Sequence, residues 1–289
     1  MAAKAEANYK IVEKFDDFGK VQANRPNFEP QKKIEVTKHP NPQWKFGQGV
    51  KRDAPTANHR EIDPYAAGRP PVHNYRLLVA GIAPRPVGFI STVSSETKNL
   101  APFSYFQVVE HDPPMFIVGF SSRPGREKDT FRNLKESKEC VINTVSEDMI
   151  EAVNATSIDA PYGVSEWDVS GLTEASTTTV KPSRVKESVL SIEAKVVQVH
   201  EIEHGGANDG MSGAGLVLMK ATRFWVREDA TNSDASNIDL DILRPVGQLG
   251  GISYARISSI FELPRGRWSD EAPKSELLGK LEKDAEKSL

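Results

Sequence analysis

Apolar positions in the middle of the chain gather into short runs rich in β-branched and aromatic residues and bounded by turn residues. Val87 to Val93, Leu100 to Val109, Met115 to Phe120, Cys140 to Val145, Val189 to Glu203 and Leu216 to Arg227 are therefore predicted strands. The last two are long, which suits a barrel wall. Two helices are expected among them, Thr130 to Glu136 and Glu147 to Ala155, the second carrying Met149, Ile150 and Val153 at helical spacing. Strands with a few inserted helices and no βαβ alternation argue against a doubly wound sheet. The expected class is mainly β, a closed or partly closed antiparallel barrel.

The flanks read differently. Residues 1–62 are polar and proline-rich, with few periodic apolar positions, and cannot bury enough surface to fold alone. They are expected to be a disordered extension or an arm on the barrel from about Pro42 onward, with Trp44 and Phe46 as anchors. Asp63 to Pro71 is turn-rich and marks the entry to a main domain spanning 63–265. Residues 266–289 form a charged helical tail with an apolar stripe of Leu277, Leu278 and Leu281.

Composition narrows the chemistry. Of 289 residues, 27% are charged and 38% apolar, with a net charge of −3, so bulk charge recruits no nucleic acid. No apolar run approaches the roughly 20 residues needed to span a bilayer. Met1 to Lys20 is polar where a secretory signal is apolar, so a cytoplasmic location is expected. The single cysteine, Cys140, excludes an intrachain disulfide and reads as a small buried core residue. The six histidines show no metal-ligand spacing, and no bound metal is expected.

Four motifs crowd into Ala83 to Thr130: APRPVGFIST, NLAPFSYF, DPPMFIVGFSS and RPGREKDT. Ser122, Arg123, Arg126, Lys128 and Thr130 stand at the start of a predicted helix, where unpaired N–H groups and the dipole favour an anion. Capping of that helix by Asp129 and Thr130 is the ligand-free alternative. Along VGFIST, Phe89 and Ser91 share one strand face and Thr92 takes the other, so the two hydroxyls cannot both reach one ligand atom. Either Ser91 or Thr92, with a backbone N–H, is the candidate contact, and plain strand formation is the alternative.

Pro102 withdraws a ladder donor, so Asn99, Ala101, Pro102, Phe103 and Ser104 belong at an edge or break where backbone groups are free. Arg85 is a candidate for a ligand anion, with a surface salt bridge as the alternative. In RPVGQLGGISYARI, Gly250 and Gly251 permit close backbone approach, and Tyr254 either covers a planar ligand or fills the core. The glycine-rich His204 to Gly215 links two long strands and opens no helix, so it reads as a hairpin loop. The chain lacks a GxSxG elbow and a phosphate-loop GKS/T motif.

From Asp63 to about Arg256 these motifs resemble the flavin reductase-like family, the flavoprotein oxygenase group built on the FMN-binding split barrel. The resemblance implies that Asn99, Ala101, Pro102, Phe103 and Ser104 line the cofactor and that Ser122, Arg123, Lys128 and Thr130 anchor its phosphate; Arg85, Ser91, Thr92, Asp129 and Tyr254 complete the expected cofactor-binding set. That cofactor is FMN, with FAD as the alternative. It implies a homodimer and NADH- or NADPH-dependent flavin reduction, with hydride passing to flavin N5 and no general base required. An FMN-dependent oxygenase or oxidase acting on a small organic substrate, and a non-catalytic flavin-binding protein, are the alternatives. Gln248 stands where some members carry arginine.

Overall fold

The strand-forming runs pair into one seven-stranded sheet in the computed structural model, which describes residues 17–30, 33–50, 58–95, 97–123, 125–202 and 213–287. Its strands are β1 (Gly88–Ser94), β2 (Thr97–Phe103), β3 (Phe106–His111), β4 (Pro114–Phe120), β5 (Glu139–Asn143), β6 (Leu190–Ile202) and β7 (Ala214–Val226). They lie in the order β2-β1-β5-β6-β7-β4-β3, every neighbouring pair antiparallel.

The predicted strand from Leu100 to Val109 is two strands, β2 and β3, on opposite edges of this sheet. A flat sheet would hold its edges about 29 Å apart, six spacings of about 4.8 Å. Three peptide steps from Phe103 to Phe106 reach no further than about 11 Å. The sheet therefore curls until its edges meet at Ser104 and Tyr105. There the Gly119 N–H donates to the Tyr105 carbonyl at 2.7 Å. Among the described residues no ladder joins β2 to β3, so the curl remains split.

Two apolar clusters hold the sheet. Ile90, Phe116, Phe120, Ile142, Val217 and Met219 belong to one, and helix α2 (Asp129–Ser137) adds Phe131 and Leu134 to it. Phe131 stacks on Phe120 with centroids 4.9 Å apart, and Phe120 meets Phe103 edge-on at 4.9 Å. Phe89, Leu100, Val145, Met149, Val153 and Trp167 form the other. It is covered by α3 (Ile150–Ala155), which a 3-10 turn Glu147–Met149 leads into, and by α4 (Glu166–Ser170). Strand β1 serves both, Ile90 on one face and Phe89 on the other, which explains its continuous burial. Gly215 in β7 leaves room for Phe131: a Cβ there would lie 2.5 Å from its ring. Cys140 is fully buried with its Sγ 3.4 Å from the Met219 sulfur, and burial pushes its thiol up to about 12.

Helix α1 (Pro71–Gly81) follows the turn-rich entry and precedes β1, where no element was expected. Contacts divide the chain into two units, 1–31 with 71–257, and 32–70 with 258–289. In the first, the Arg256 Nη1 donates to the Glu29 carbonyl at 2.6 Å and the guanidinium lies 4.5 Å from the Phe28 ring. In the second, Glu35–Thr37 pairs in parallel with Ser259–Phe261. Trp44 meets Phe46 edge-on at 5.7 Å, and the tail forms a helix Glu276–Glu286 that buries Leu278 while Leu277 and Leu281 stay exposed. The predicted hairpin joins β6 and β7, which pair directly, but most of its loop lies outside the described residues.

One buried charge ties the sheet to the segment before it. Glu193 in β6 is fully enclosed and accepts from Trp225 Nε1 at 2.7 Å, from the Thr178 N–H at 2.8 Å, and from the N–H and hydroxyl of Thr179. Burial pulls this carboxyl upward, but the bonds from Thr179, Trp225 and the Thr178 backbone outweigh it and hold its pKa below the usual value. A depressed folded-state pKa contributes stability that is present above the unfolded value near 4.5 and lost as pH falls through the folded one. Glu193→Gln is expected to lower unfolding free energy by about 2–3 kcal/mol near neutral pH. The deficit should shrink below about pH 4, and denaturant melts at the two pH values check both.

Candidate functional site

The open side of β2 forms the back of a cleft of about 490 Å3. As an edge strand β2 pairs, among the described residues, only with β1, and Pro102 lies in it opposite Phe89, in keeping with the expected place of a proline. Asn99, Ala101, Pro102, Phe103 and Ser104 all line the cleft. At one end of this row the buried Asn99 donates through Nδ2 to Thr130 Oγ1 at 2.8 Å. At the other, Ser104 Oγ accepts from Arg85 Nε at 3.2 Å. Five residue steps separate these anchor points, about 17 Å of extended chain.

Cations gather at the Asn99 end. Ser122, Arg123, Arg126, Lys128, Asp129 and Thr130 line the cleft where α2 begins. The N-cap residue of α2 is Lys128, and no side chain caps it. Asp129 and Thr130 lie inside the first turn, so the capping alternative does not describe them. The start of α2 thus presents its dipole and first-turn N–H groups beside three basic residues and two hydroxyls, a donor set suited to a phosphate. Arg126 bonds to Asp129 and to the Ala160 carbonyl, and Arg123 Nε donates to the Arg126 carbonyl at 2.9 Å.

Aromatic groups frame the Ser104 end. Tyr75 and Val79 come from α1, Tyr105 from the link between the sheet edges, and Ile252 and Tyr254 from the ribbon β8 (Val246–Gln248) with β9 (Tyr254–Arg256). Gly250 lets this ribbon close on α1, since a Cβ there would lie 3.3 Å from Ala80 Cα, and Gly251 has φ +63. The Tyr254 hydroxyl donates to Asn154 Oδ1 at 3.2 Å. Burial raises the Tyr254 pKa. Burial raises that of Tyr105 as well, aided by neighbouring Tyr75 and opposed by Arg85 and a bond to Ser121.

The structure brings twelve of the fourteen candidate residues to one cleft and leaves two elsewhere. Ser91 is buried, its hydroxyl donating to the Ser183 carbonyl at 2.6 Å, and Thr92 is buried on the other face, accepting from Asn133 Nδ2 at 3.0 Å. Both faces of β1 are covered, so neither hydroxyl reaches the cleft. Arg85 lines it but is neither a surface ion pair nor an open cation. Its Nη1 donates to the carbonyls of Val79 at 2.6 Å and Ile82 at 2.7 Å, and its Nη2 to Leu249 at 2.9 Å. It thereby caps the C-terminal end of α1 and fastens it to the ribbon.

Sequence reasoning missed Tyr75, Val79, Tyr105, Asn154 in the last turn of α3, the loop Thr156 to Ala160, and Glu166. Val72, Tyr75, Val79 and Ile82 recur at helical spacing behind Pro71, a helix signal that was available. Glu166 carried none. It is 5% exposed and accepts the Leu100 N–H at 3.2 Å. Burial raises its pKa, Asp129 adding to the rise while backbone N–H groups and Arg126 oppose it.

The model of the flavin reductase like domain matches residues 80–239. An uncharacterized protein of Halalkalibacterium halodurans is 36% identical over 194 residues, covering 66% of this chain and 90% of the relative. Nitrilotriacetate monooxygenase component B from Bacillus cereus superimposes with a TM-score of 0.66 at 31% identity, over 72% of this chain and all of that one. A candidate flavin reductase with split barrel domain from Shewanella frigidimarina shares the fold, with a TM-score of 0.58 at 22% identity over 69% of this chain and 95% of its own. The chain belongs to the flavin reductase-like family. Among the described residues, no helix is long and apolar enough to cross a membrane.

The role of Arg85 is testable without a ligand. Arg85→Ala is expected to cost about 3 kcal/mol in a denaturant melt, because buried carbonyls on α1 and the ribbon lose a charged donor. Arg85→Lys should recover only part of this, as one ammonium cannot replace the planar fork. A variant as stable as the parent would remove the strut role.

Proposed function

We propose that this chain binds FMN along β2 and catalyses NADH- or NADPH-dependent flavin reduction. The observation that carries the reading is the pairing of an uncapped helix start, rich in cations and hydroxyls, with an aromatic rim at the other end of the row Asn99 to Ser104, a row about 17 Å long when extended. That spacing suits a molecule with a phosphate at one end and a flat ring at the other. Membership of the flavin reductase-like family supports the same ligand.

In this reading Ser122, Arg123, Lys128, Asp129, Thr130 and the first turn of α2 form the phosphate subsite, Asp129 through its hold on Arg126. Asn99 and Thr130, already bonded to each other, face the ribityl chain. Outward backbone groups from Ala101 to Ser104 meet the polar edge of the ring, where N–H donors favour negative charge. Tyr254 covers the ring, and Arg85 acts from behind by fixing Ser104, α1 and the ribbon. Bound flavin supplies the redox chemistry, hydride acceptance from the nicotinamide, so no side chain is assigned as acid or base.

Two further parts of the reading concern partners. Exposed Tyr75, Leu77 and Leu78 on α1, Ile82 just after it, and Val108 and Val109 on β3 are apolar surface that a homodimer would bury near the cleft. The Bacillus cereus neighbour is named as one component of a monooxygenase. That supports a separate acceptor for the reduced flavin here.

Two measurements test the function. Exchanging both Arg123 and Lys128 for Ala is expected to weaken FMN binding more than tenfold by fluorescence titration, because two charge-assisted contacts of about 1.5–3 kcal/mol are lost. Riboflavin, which lacks the phosphate, should bind the variant and the parent alike, and unchanged FMN affinity would remove the phosphate subsite. Anaerobic mixing of the FMN-saturated protein with NADH or NADPH should bleach the flavin band faster than free FMN. Confirmed binding without acceleration would leave a flavin-binding protein or an enzyme fed by a partner.

A further inference from the structure

Two arginines of the cationic end already hold a carboxylate. Asp159 Oδ1 lies 2.8 Å from Arg123 Nη1 and 3.8 Å from Arg126 Nη2. Asp159 comes from the loop after α3, and all three residues line the cleft. Its side chain is 81% exposed, against 26% for Arg123. A carboxylate reaching in from solvent therefore stands on the groups that an incoming phosphate would need.

Asp129, the other acidic group on these cations, is placed differently. It sits in the first turn of α2 with its side chain 13% exposed, bound to Arg126 Nη1. Helix geometry fixes its position, and it belongs to the permanent wall of the subsite. Asp159 has no such restraint, because water receives its carboxylate as readily as Arg123 does. An exposed ion pair of this kind contributes little. A phosphate carries up to two charges and several acceptor oxygens, and it forms stronger bonds to the same guanidinium groups.

We propose that Asp159 is a built-in competitor, occupying Arg123 and Arg126 in the ligand-free protein and giving way to the phosphate of the ligand. Asp159 then sets how tightly the cleft holds a phosphorylated flavin. The proposal rests on the FMN reading given above and names the residue that tunes it. It also separates ligands by chemistry: a flavin without phosphate leaves Asp159 on its arginines and gains nothing from its removal. The opposite role is a brace, in which Asp159 holds the arginines in their binding positions.

Titration of the full chain with FMN and with riboflavin at low ionic strength distinguishes the two roles. Asp159→Asn, an exposed change that leaves the fold intact, is expected to lower the FMN Kd about two- to fivefold. The riboflavin Kd should stay at the parent value, and Asp159→Glu should keep the parent affinity for FMN. A raised FMN Kd in Asp159→Asn would overturn the proposal in favour of the brace. An unchanged FMN Kd, or equal tightening toward both flavins, overturns it too. If parent and variant both bind riboflavin but not FMN, the phosphate subsite itself is wrong and the competitor falls with it.

Discussion

Ser104 and Tyr105 are all the chain that joins the first edge of the seven-stranded sheet to the last, and the cleft follows from that short link. Because so few residues connect β2 to β3, the sheet has to curl, and because no ladder forms between them, one long side of β2 is left without a strand partner, its Leu100 N–H held by Glu166. A closed barrel would have used those groups on itself. A flat sheet would have left Gly119 and the rest of β4 far from Asn99 to Phe103. The split puts an open strand edge and a second wall within reach of one ligand.

The cleft is lined by charges of two kinds. Arg85 is buried and gives its donors to three carbonyls and a hydroxyl, so its positive charge acts as a strut between α1, Ser104 and the ribbon. Arg123 and Arg126 lie nearer solvent, and part of their bonding goes to the exposed Asp159. Residue type alone cannot separate these roles, since all three are arginines beside turn residues in the same stretch of chain. Depth and the partners brought by distant segments decide which one stays and which one responds.

Much of the sheet was legible because its signals are local. Five of the six predicted runs correspond to single strands, and the helix expected from Thr130 to Glu136 is Asp129–Ser137. The sixth run misled because Leu100 to Val109 is continuously strand-like, and only the curl of the whole sheet divides it. The candidate site was legible at NLAPFSYF and RPGREKDT, where proline, hydroxyls and cations serve nearby backbone. At Ser91 and Thr92, one of which was expected to contact a ligand, residue type could not show that Ser183 and Asn133, distant in sequence, hold their hydroxyls in the structure. Glu166 was invisible because its burial beside Leu100 depends on how α4 packs on β2. The pairing of Glu35–Thr37 with Ser259–Phe261 joins the two flanks of the chain, and short polar segments carry no pattern that announces such a partner.

The two ends of the cleft have different origins along the chain. The cationic end is built within residues 99–160, inside the stretch matched by the family model, whereas most of the aromatic rim comes from α1 and the β8–β9 ribbon, which flank it. Descendants of such a chain can therefore inherit one end unchanged while the other drifts. Substitutions in α1 or the ribbon would reshape the aromatic end of the cleft and leave the cationic end alone. This division lets one end of the pocket vary while the other is kept.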